Sequence, residues 1–261
     1  MNTQEVIDEY LSRSFKDHPR LRDPSQFRIL SYCIQNIYGK KNSLFCIDVE
    51  AWERNTKIVT EIGICIYDPS NQELSMVPSF HTYHIRIREN YHRKNGRFVP
   101  DHVSNFAGLN TYVMTMEDAV TFIKLLIEKY FVNSDNPCNL VGHDLNGDIK
   151  WFKTLGIEFP SNIIKVDTQF LMSLSTQKQR SLSKSLALVG IPHSFLHNAG
   201  NDAYYTLVLA LKLSDPQSRT IHGLDDGKNF PLDIEHEKRH KNRCPELEVD
   251  DPLLLMEELH P

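Results

Sequence analysis

No stretch of this chain approaches the roughly 20 consecutive apolar residues that a bilayer-spanning helix requires, so no membrane partner is expected. The N-terminus carries Glu5, Asp8 and Glu9 and lacks the apolar core of a signal peptide. That speaks against secretion and, more weakly, against an acid-poor mitochondrial transit peptide. None of the five cysteines (Cys33, Cys46, Cys65, Cys138, Cys244) forms a C-x-x-C pair. Cys46, Cys65 and Cys138 lie in or beside apolar runs, where cysteine behaves as a small core residue. This usage fits a reducing intracellular compartment, cytoplasm or nucleus with the mitochondrion left open, and not a disulfide framework. A surplus of positive charge is also missing. The formal net charge is −5, so any surface for nucleic acid must be local. P-loop, G-x-S-x-G and Rossmann glycine signatures are absent, which removes the chemistries those motifs carry.

What is present is a chain of 261 residues, 40% hydrophobic and 10% aromatic, enough for one large core or two small ones. Residues 1–40 read as a polar N-terminal helical extension in which Leu30, Cys33, Ile34 and Ile37 have helical spacing. Residues 41–213 read as the main domain. SLFCIDVEAW, TEIGICIYDP and SFHTYHIRIR predict three consecutive strands with short links, hence an antiparallel meander. Residues 89–114 read as a long irregular loop, a length that often carries function. Thr115 is a good N-cap for a helix with the stripe Ala119, Phe122, Ile123, Leu126, Ile127 and Tyr130. The chain then alternates. NLVGH and IIKVDT predict strands, GDIKWFKTLG and SLSKSLALVG predict helices closed by Gly156 and Gly190, and NDAYYTLVLALKL predicts a last amphipathic helix. A meander followed by this alternation predicts an α/β domain, a mixed five-stranded sheet flanked by helices. Residues 214–261 are charged and rich in proline. From Pro245 onward they carry Glu246, Glu248, Asp250, Asp251, Glu257 and Glu258 without a Lys or Arg. They read as a largely extended or disordered tail, with a docking motif for a protein partner around Leu253–Met256.

Three short motifs carry the chemistry. Asp48 and Glu50, two apart on a strand, point to one face and repel each other unless a cation or protons neutralise them. Hard oxygen ligands of this kind suit Mg²⁺ or Mn²⁺. In VGHDLNGDIKWF, Asp144 and Asp148 lie where a strand gives way to a helix. In HNAGNDAYY, His197 lies in a loop and Asp202 in the first turn of the last helix. Taken singly, each is ordinary: acids cap helices and end strands in many proteins.

The order D-x-E on a first strand, Asp after a mid-chain strand and H-x₄-D opening a late helix resembles the DEDDh exonuclease family, the DnaQ-like branch of the ribonuclease H-like superfamily. TEIGICIYD after IDVE, the pair Asp167-Thr168 and the LSKSLALVGI helix match the same pattern from about Leu44 to Leu213. VEAWERNTKIVTEIG, GHDLNGDIKWFK and HNAGNDA resemble a fungal group within that branch, named for a genetic link to an mRNA-export DEAD-box helicase. The chain departs from the family in having Ala51 where Thr usually follows D-x-E, and Asp144 where Asn often follows the second-motif His143.

The resemblance implies a ribonuclease H-like fold and a 3′→5′ exonuclease acting on single-stranded RNA or DNA to release nucleoside 5′-monophosphates. It implies two Mg²⁺ or Mn²⁺ ions, with Asp48, Glu50 and Asp202 on the first. Asp48 would bridge to the second, with help from Asp148. His197 would be the general base. Two such ions can stabilise both the attacking and the leaving oxygens of a phosphodiester, and an imidazole with an ordinary pKa near ~6.5 can take a proton close to neutrality. For the nucleic acid, Arg93, Lys94 and Arg97 in the stretch Arg86 to Arg97, with Trp52 and Arg54 past the carboxylate pair, supply cations and an aromatic face. The alternative is a non-catalytic module on the same fold that binds nucleic acid or protein. A rival signal, HEKRH at 236–240, matches H-E-x-x-H. The surrounding DIEHEKRHKNRC has no apolar face to bury, so a metalloprotease is set aside.

Overall fold

The computed structural model describes residues 2–72, 78–227, 246–248, 251 and 253. The HEKRH segment lies outside them, as does the Leu253–Met256 motif apart from Leu253. Continuous buried runs, whose successive residues serve opposite faces, build three antiparallel strands: β1 (Ser43–Trp52), β2 (Asn55–Tyr67) and β3 (His81–Ile87). β4 (Thr111–Met114) joins β3 in parallel, and β5 (Cys138–Gly142) and β6 (Ile164–Asp167) extend the other side in parallel. A last strand, β7 (Glu246–Glu248), pairs with β4, which completes the order β6-β5-β1-β2-β3-β4-β7. The five expected strands all form. The sheet is wider because the 89–114 stretch contains β4 and part of the tail adds β7, and both depend on pairing with residues distant in sequence.

Eight α-helices accompany the sheet among the described residues: α1 (Thr3–Leu11), α2 (Pro24–Cys33), α3 (Met116–Ile127), α4 (Leu145–Thr154), α5 (Thr168–Thr176), α6 (Leu182–Leu188), α7 (Ala199–Ser214) and α8 (Pro216–Ile221). Thr115 caps α3 by accepting from the Asp118 amide. Gly156 and Gly190 follow α4 and α6 with φ of +73° and +65°, the left-handed conformation that closes a helix without a Cβ penalty. No described helix is long and apolar enough to cross a membrane.

The two faces of the sheet bury separate cores. Phe45, Ile47, Ile62, Ile64 and Ile85 pack under α3 and α4. Leu44, Cys46, Cys65 and Val141 pack under α7, together with Ile7, Tyr10, Leu30, Cys33, Ile34 and Ile37 of the N-terminal extension. The polar N-terminal extension thus contributes these side chains to the core. The expected domain boundary after 213 also shifts. Residues 215–227 are packed, because Arg219 of α8 is fully buried and ion-paired to Asp225 at 2.6 Å, with its Nε donating to Tyr10 Oη at 2.9 Å. A buried guanidinium without such partners would be prohibitively costly, so this cluster ties α8 to α1. The four cysteines among the described residues are free thiols, three of them buried, and burial pushes Cys65 up to about 12.

Candidate active site

On β1 the period of two that sends Leu44 and Cys46 into the core under α7 sends Asp48 and Glu50 to the same face. Across the hairpin, Gly63 stands opposite Asp48 and Glu61 opposite Glu50. Gly63 has a steric reason to be glycine: a Cβ there would land on the carbonyl of Ala199, the first residue of α7. The bare backbone lets α7 press its first turn onto the sheet beside Asp48, and that turn carries Asp202.

His197 sits just before this turn with φ of +64°, and its amide donates to Asp202 Oδ2 at 2.9 Å. Its ring Nδ1 lies 3.8 Å from Glu50 Oε1, and 45% of the side chain is exposed. Asp148 arrives from the other flank. The β1–β5 ladder ends at Cys46, so the Val49 amide is open, and Asp148 Oδ1 accepts it at 3.1 Å. Asp148 is buried, while Asp144, left-handed at the start of α4, is exposed.

Ligand atoms of Glu50, His197 and Asp202 all lie within 4.8 Å of one another. Asp48 is held far above the ordinary carboxylate range by burial, then by Asp202, Asp148 and Glu50. Glu50 is raised by burial, then by Glu61, Asp202 and Asp148. Burial pushes Asp148 up to about 7 against the opposing Val49 hydrogen bond. Asp48 and Glu50 keep an edge open to the cleft while surrounding protein desolvates the rest. Converging acids that raise one another's pKa are in electrostatic conflict, and a multivalent cation relieves it. Two carboxylates and an imidazole at ligand spacing, with Asp48 and Asp148 beside them, fit a hard or borderline divalent ion.

The basic stretch after β3 is fastened beside this cleft. Asn95 accepts from the Glu53 amide at 2.9 Å and donates to the Ala51 carbonyl at 3.1 Å. The Glu53 carboxylate accepts from the amides of Arg97 and Phe98. Arg93 consequently lies over the half-buried Trp52 ring at 4.6 Å, and Arg86 over Tyr91 at 3.7 Å. Arg54, Lys94 and Arg97 are exposed near this bracket. β1 carries irregular register on both sides of Ala51, which turns Trp52 out of the regular ladder.

Several residues at the site were not singled out by sequence reasoning. Glu61 and His84 form a buried pair at 2.8 Å directly behind Glu50, and Asn198 and Asn201 flank His197 and Asp202. The signal for Glu61 was its place on the Gly63 face of β2. His84 and the asparagines gave no signal, because their partners are distant in sequence: Glu61 and Thr111 for His84, and the 102–107 loop for the asparagines.

A mixed sheet of this order, with acids at the end of its central strand and a histidine loop laid over them, is the ribonuclease H-like fold that the sequence led us to expect. The chain belongs to the DEDDh exonuclease family: the family described as DNA polymerase III subunit epsilon-like, C-terminal domain, matches residues 43–213. Membership implies dependence on a divalent metal. The chain is 38% identical over 229 residues to "Good for full DBP5 activity protein 2" of Saccharomyces cerevisiae, covering 77% of this chain and 40% of the relative. It is 39% identical over 227 residues to the uncharacterized protein YDR514C of the same yeast, covering 77% and 47%. The chain thus spans less than half the length of either relative. Among solved structures, E. coli Exonuclease I bound to a dT13 oligonucleotide is similar at 12% identity and a TM-score of 0.42, covering 69% of this chain and 42% of that one. That likeness is distant.

Proposed function

We propose that the protein is a 3′→5′ exonuclease that shortens single-stranded RNA or DNA and releases nucleoside 5′-monophosphates. The observation that carries this reading is the convergence of Glu50, His197 and Asp202 within 4.8 Å, beside a half-buried Asp48 and a buried Asp148 whose ionisation the fold opposes. Asp48, Glu50, Asp148 and Asp202 would hold two Mg²⁺ or Mn²⁺ ions, which when bound stabilise charge on the attacking and leaving oxygens. His197, exposed at the rim and 3.8 Å from Glu50, would take the proton of an attacking water. Arg93 stacked on Trp52, with Arg54, Lys94 and Arg97 around it, would grip the strand through phosphates and base faces. The acidic tail is a candidate contact for a protein partner.

The test is digestion of matched single-stranded RNA, single-stranded DNA and duplex, each labelled at the 5′ end, with Mn²⁺ or with EDTA. The expected result is a ladder shortening from the 3′ end, 5′-monophosphate products, and no activity in EDTA. Wild type no more active in Mn²⁺ than Asp202→Ala would refute the enzyme and leave the binding module.

A further inference from the structure

The turn entering α7 is conformationally expensive. Phe195 and His197 both have positive φ, +55° and +64°, and neither is glycine. Each such residue costs roughly 1–3 kcal/mol and persists only where its surroundings over-determine it. The surroundings here are a set of buried polar side chains. Asn198, fully buried, accepts from the Asn201 amide at 3.1 Å as the cap of α7. Its amide nitrogen donates to the carbonyls of His102 and Val103 at 3.1 and 3.3 Å and lies 3.3 Å from His84 Nε2. Asn201, 2% exposed, accepts from the Ala107 amide and donates to the Asn105 and Phe195 carbonyls. His84 is tied at one nitrogen to Glu61 at 2.8 Å and at the other to Thr111 at 2.8 Å. Glu61 also accepts from the Ala199 amide at 3.4 Å.

These groups link three strands, the 102–107 loop and the first turn of α7 in one buried network. The network meets the carboxylate cleft at two points, Glu61 opposite Glu50 and Asn198 next to His197. We infer that Asn198, Asn201 and the Glu61–His84 pair are positioning residues that hold His197 and Asp202 at ligand distance from Glu50. The inference rests on the proposed metal-dependent reading, since the groups positioned are the ones that would bind the cation and accept the proton. Buried polar networks behave this way when every member is satisfied: they select one arrangement of the groups they touch. Outer partners of ligating side chains usually change metal affinity by roughly 10–100-fold when removed.

The cap and the positioning contacts of Asn198 can be separated. Asn198→Ser keeps an oxygen that caps α7 and loses the amide donors, while Asn198→Ala loses both. Mn²⁺ affinity, read from the free-ion EPR signal, and the melting temperature in EDTA are measured for both variants, wild type and Asp202→Ala. Both Asn198 variants are expected to lose Mn²⁺ affinity by about 10–100-fold, while Asn198→Ser, which keeps the cap, melts above Asn198→Ala. Asn198→Ser binding Mn²⁺ as tightly as wild type overturns the inference and leaves Asn198 a helix cap. The same holds if the loss appears only in Asn198→Ala and follows its melting temperature. A wild type whose Mn²⁺ affinity equals that of Asp202→Ala refutes the metal site itself, and the positioning role falls with it.

Discussion

Replacing Asp148 by Asn should stabilise the metal-free protein while weakening its response to metal. Asp148 is 8% exposed, and its carboxyl is pushed from an ordinary 3.8 up to about 7 by burial, with Asp144 and Asp167 adding repulsion. Ionising it inside the fold is therefore harder than in the unfolded chain by about 4 kcal/mol, at roughly 1.36 kcal/mol per pH unit. The folded state holds the proton more tightly, so this group's penalty is absent below about pH 4, grows as pH rises, and is complete above about pH 7. Asparagine keeps the shape and the oxygen that accepts the Val49 amide and removes the charge. Because neighbouring acids relax in part when one is neutralised, about 2 kcal/mol of the 4 is a sober expectation. In a domain of this size that is a rise in Tm of roughly 4–8 °C. The assay is thermal melting in EDTA across pH 4–8, repeated at pH 8 with saturating Mn²⁺. The Asn variant should gain over wild type at pH 8, lose that advantage toward pH 4, and gain less from Mn²⁺. An Asn variant less stable than wild type in EDTA at pH 8, or equally favoured at pH 4 and pH 8, would refute the electrostatic conflict on which the cation site rests.

Gly63→Ala should displace α7, since its Cβ would meet the Ala199 carbonyl; a loss of stability of about 2 kcal/mol or more is expected, with a matching loss of Mn²⁺ binding by titration. Arg93→Ala should weaken binding to single strands across sequences and lower the slope of log affinity against log salt by about 1, measured by fluorescence anisotropy; an unchanged slope would remove Arg93 from the nucleic-acid surface. Arg219→Ala should cost about 3–5 kcal/mol in urea unfolding, because Asp225 and Tyr10 would be left buried without their cation; a near-neutral result would show that the extension is not held through this cluster.

Much of the architecture is local and was legible from the residues alone. The apolar runs in SLFCIDVEAW and TEIGICIYD placed the two central strands, and the period of two along a strand placed Asp48 and Glu50 on a common face. Helical stripes, the Thr115 cap and the glycines at 156 and 190 placed α3, α4 and α6, because propensity, capping and left-handed closure act within a few residues. The spacing of HNAGNDA put His197 before and Asp202 within the first turn of α7.

What depended on distant partners was not legible. β4 is four residues long and forms by pairing with β3 and β7, both distant in sequence. Residues 215–227 look like charged tail until Arg219 meets Asp225 and Tyr10 across the core. Glu61 and His84 look like ordinary strand residues until the sheet register and α7 enclose them. The resemblance had pointed to Asp148 and not Asp144; the tertiary structure supplies the physical reason, since the open Val49 amide at the end of a parallel ladder takes Asp148 inward and leaves Asp144 exposed. Sequence determines which groups share a face of one element. Only packing determines which faces meet, because that meeting is paid for by contacts between residues up to about 200 positions apart.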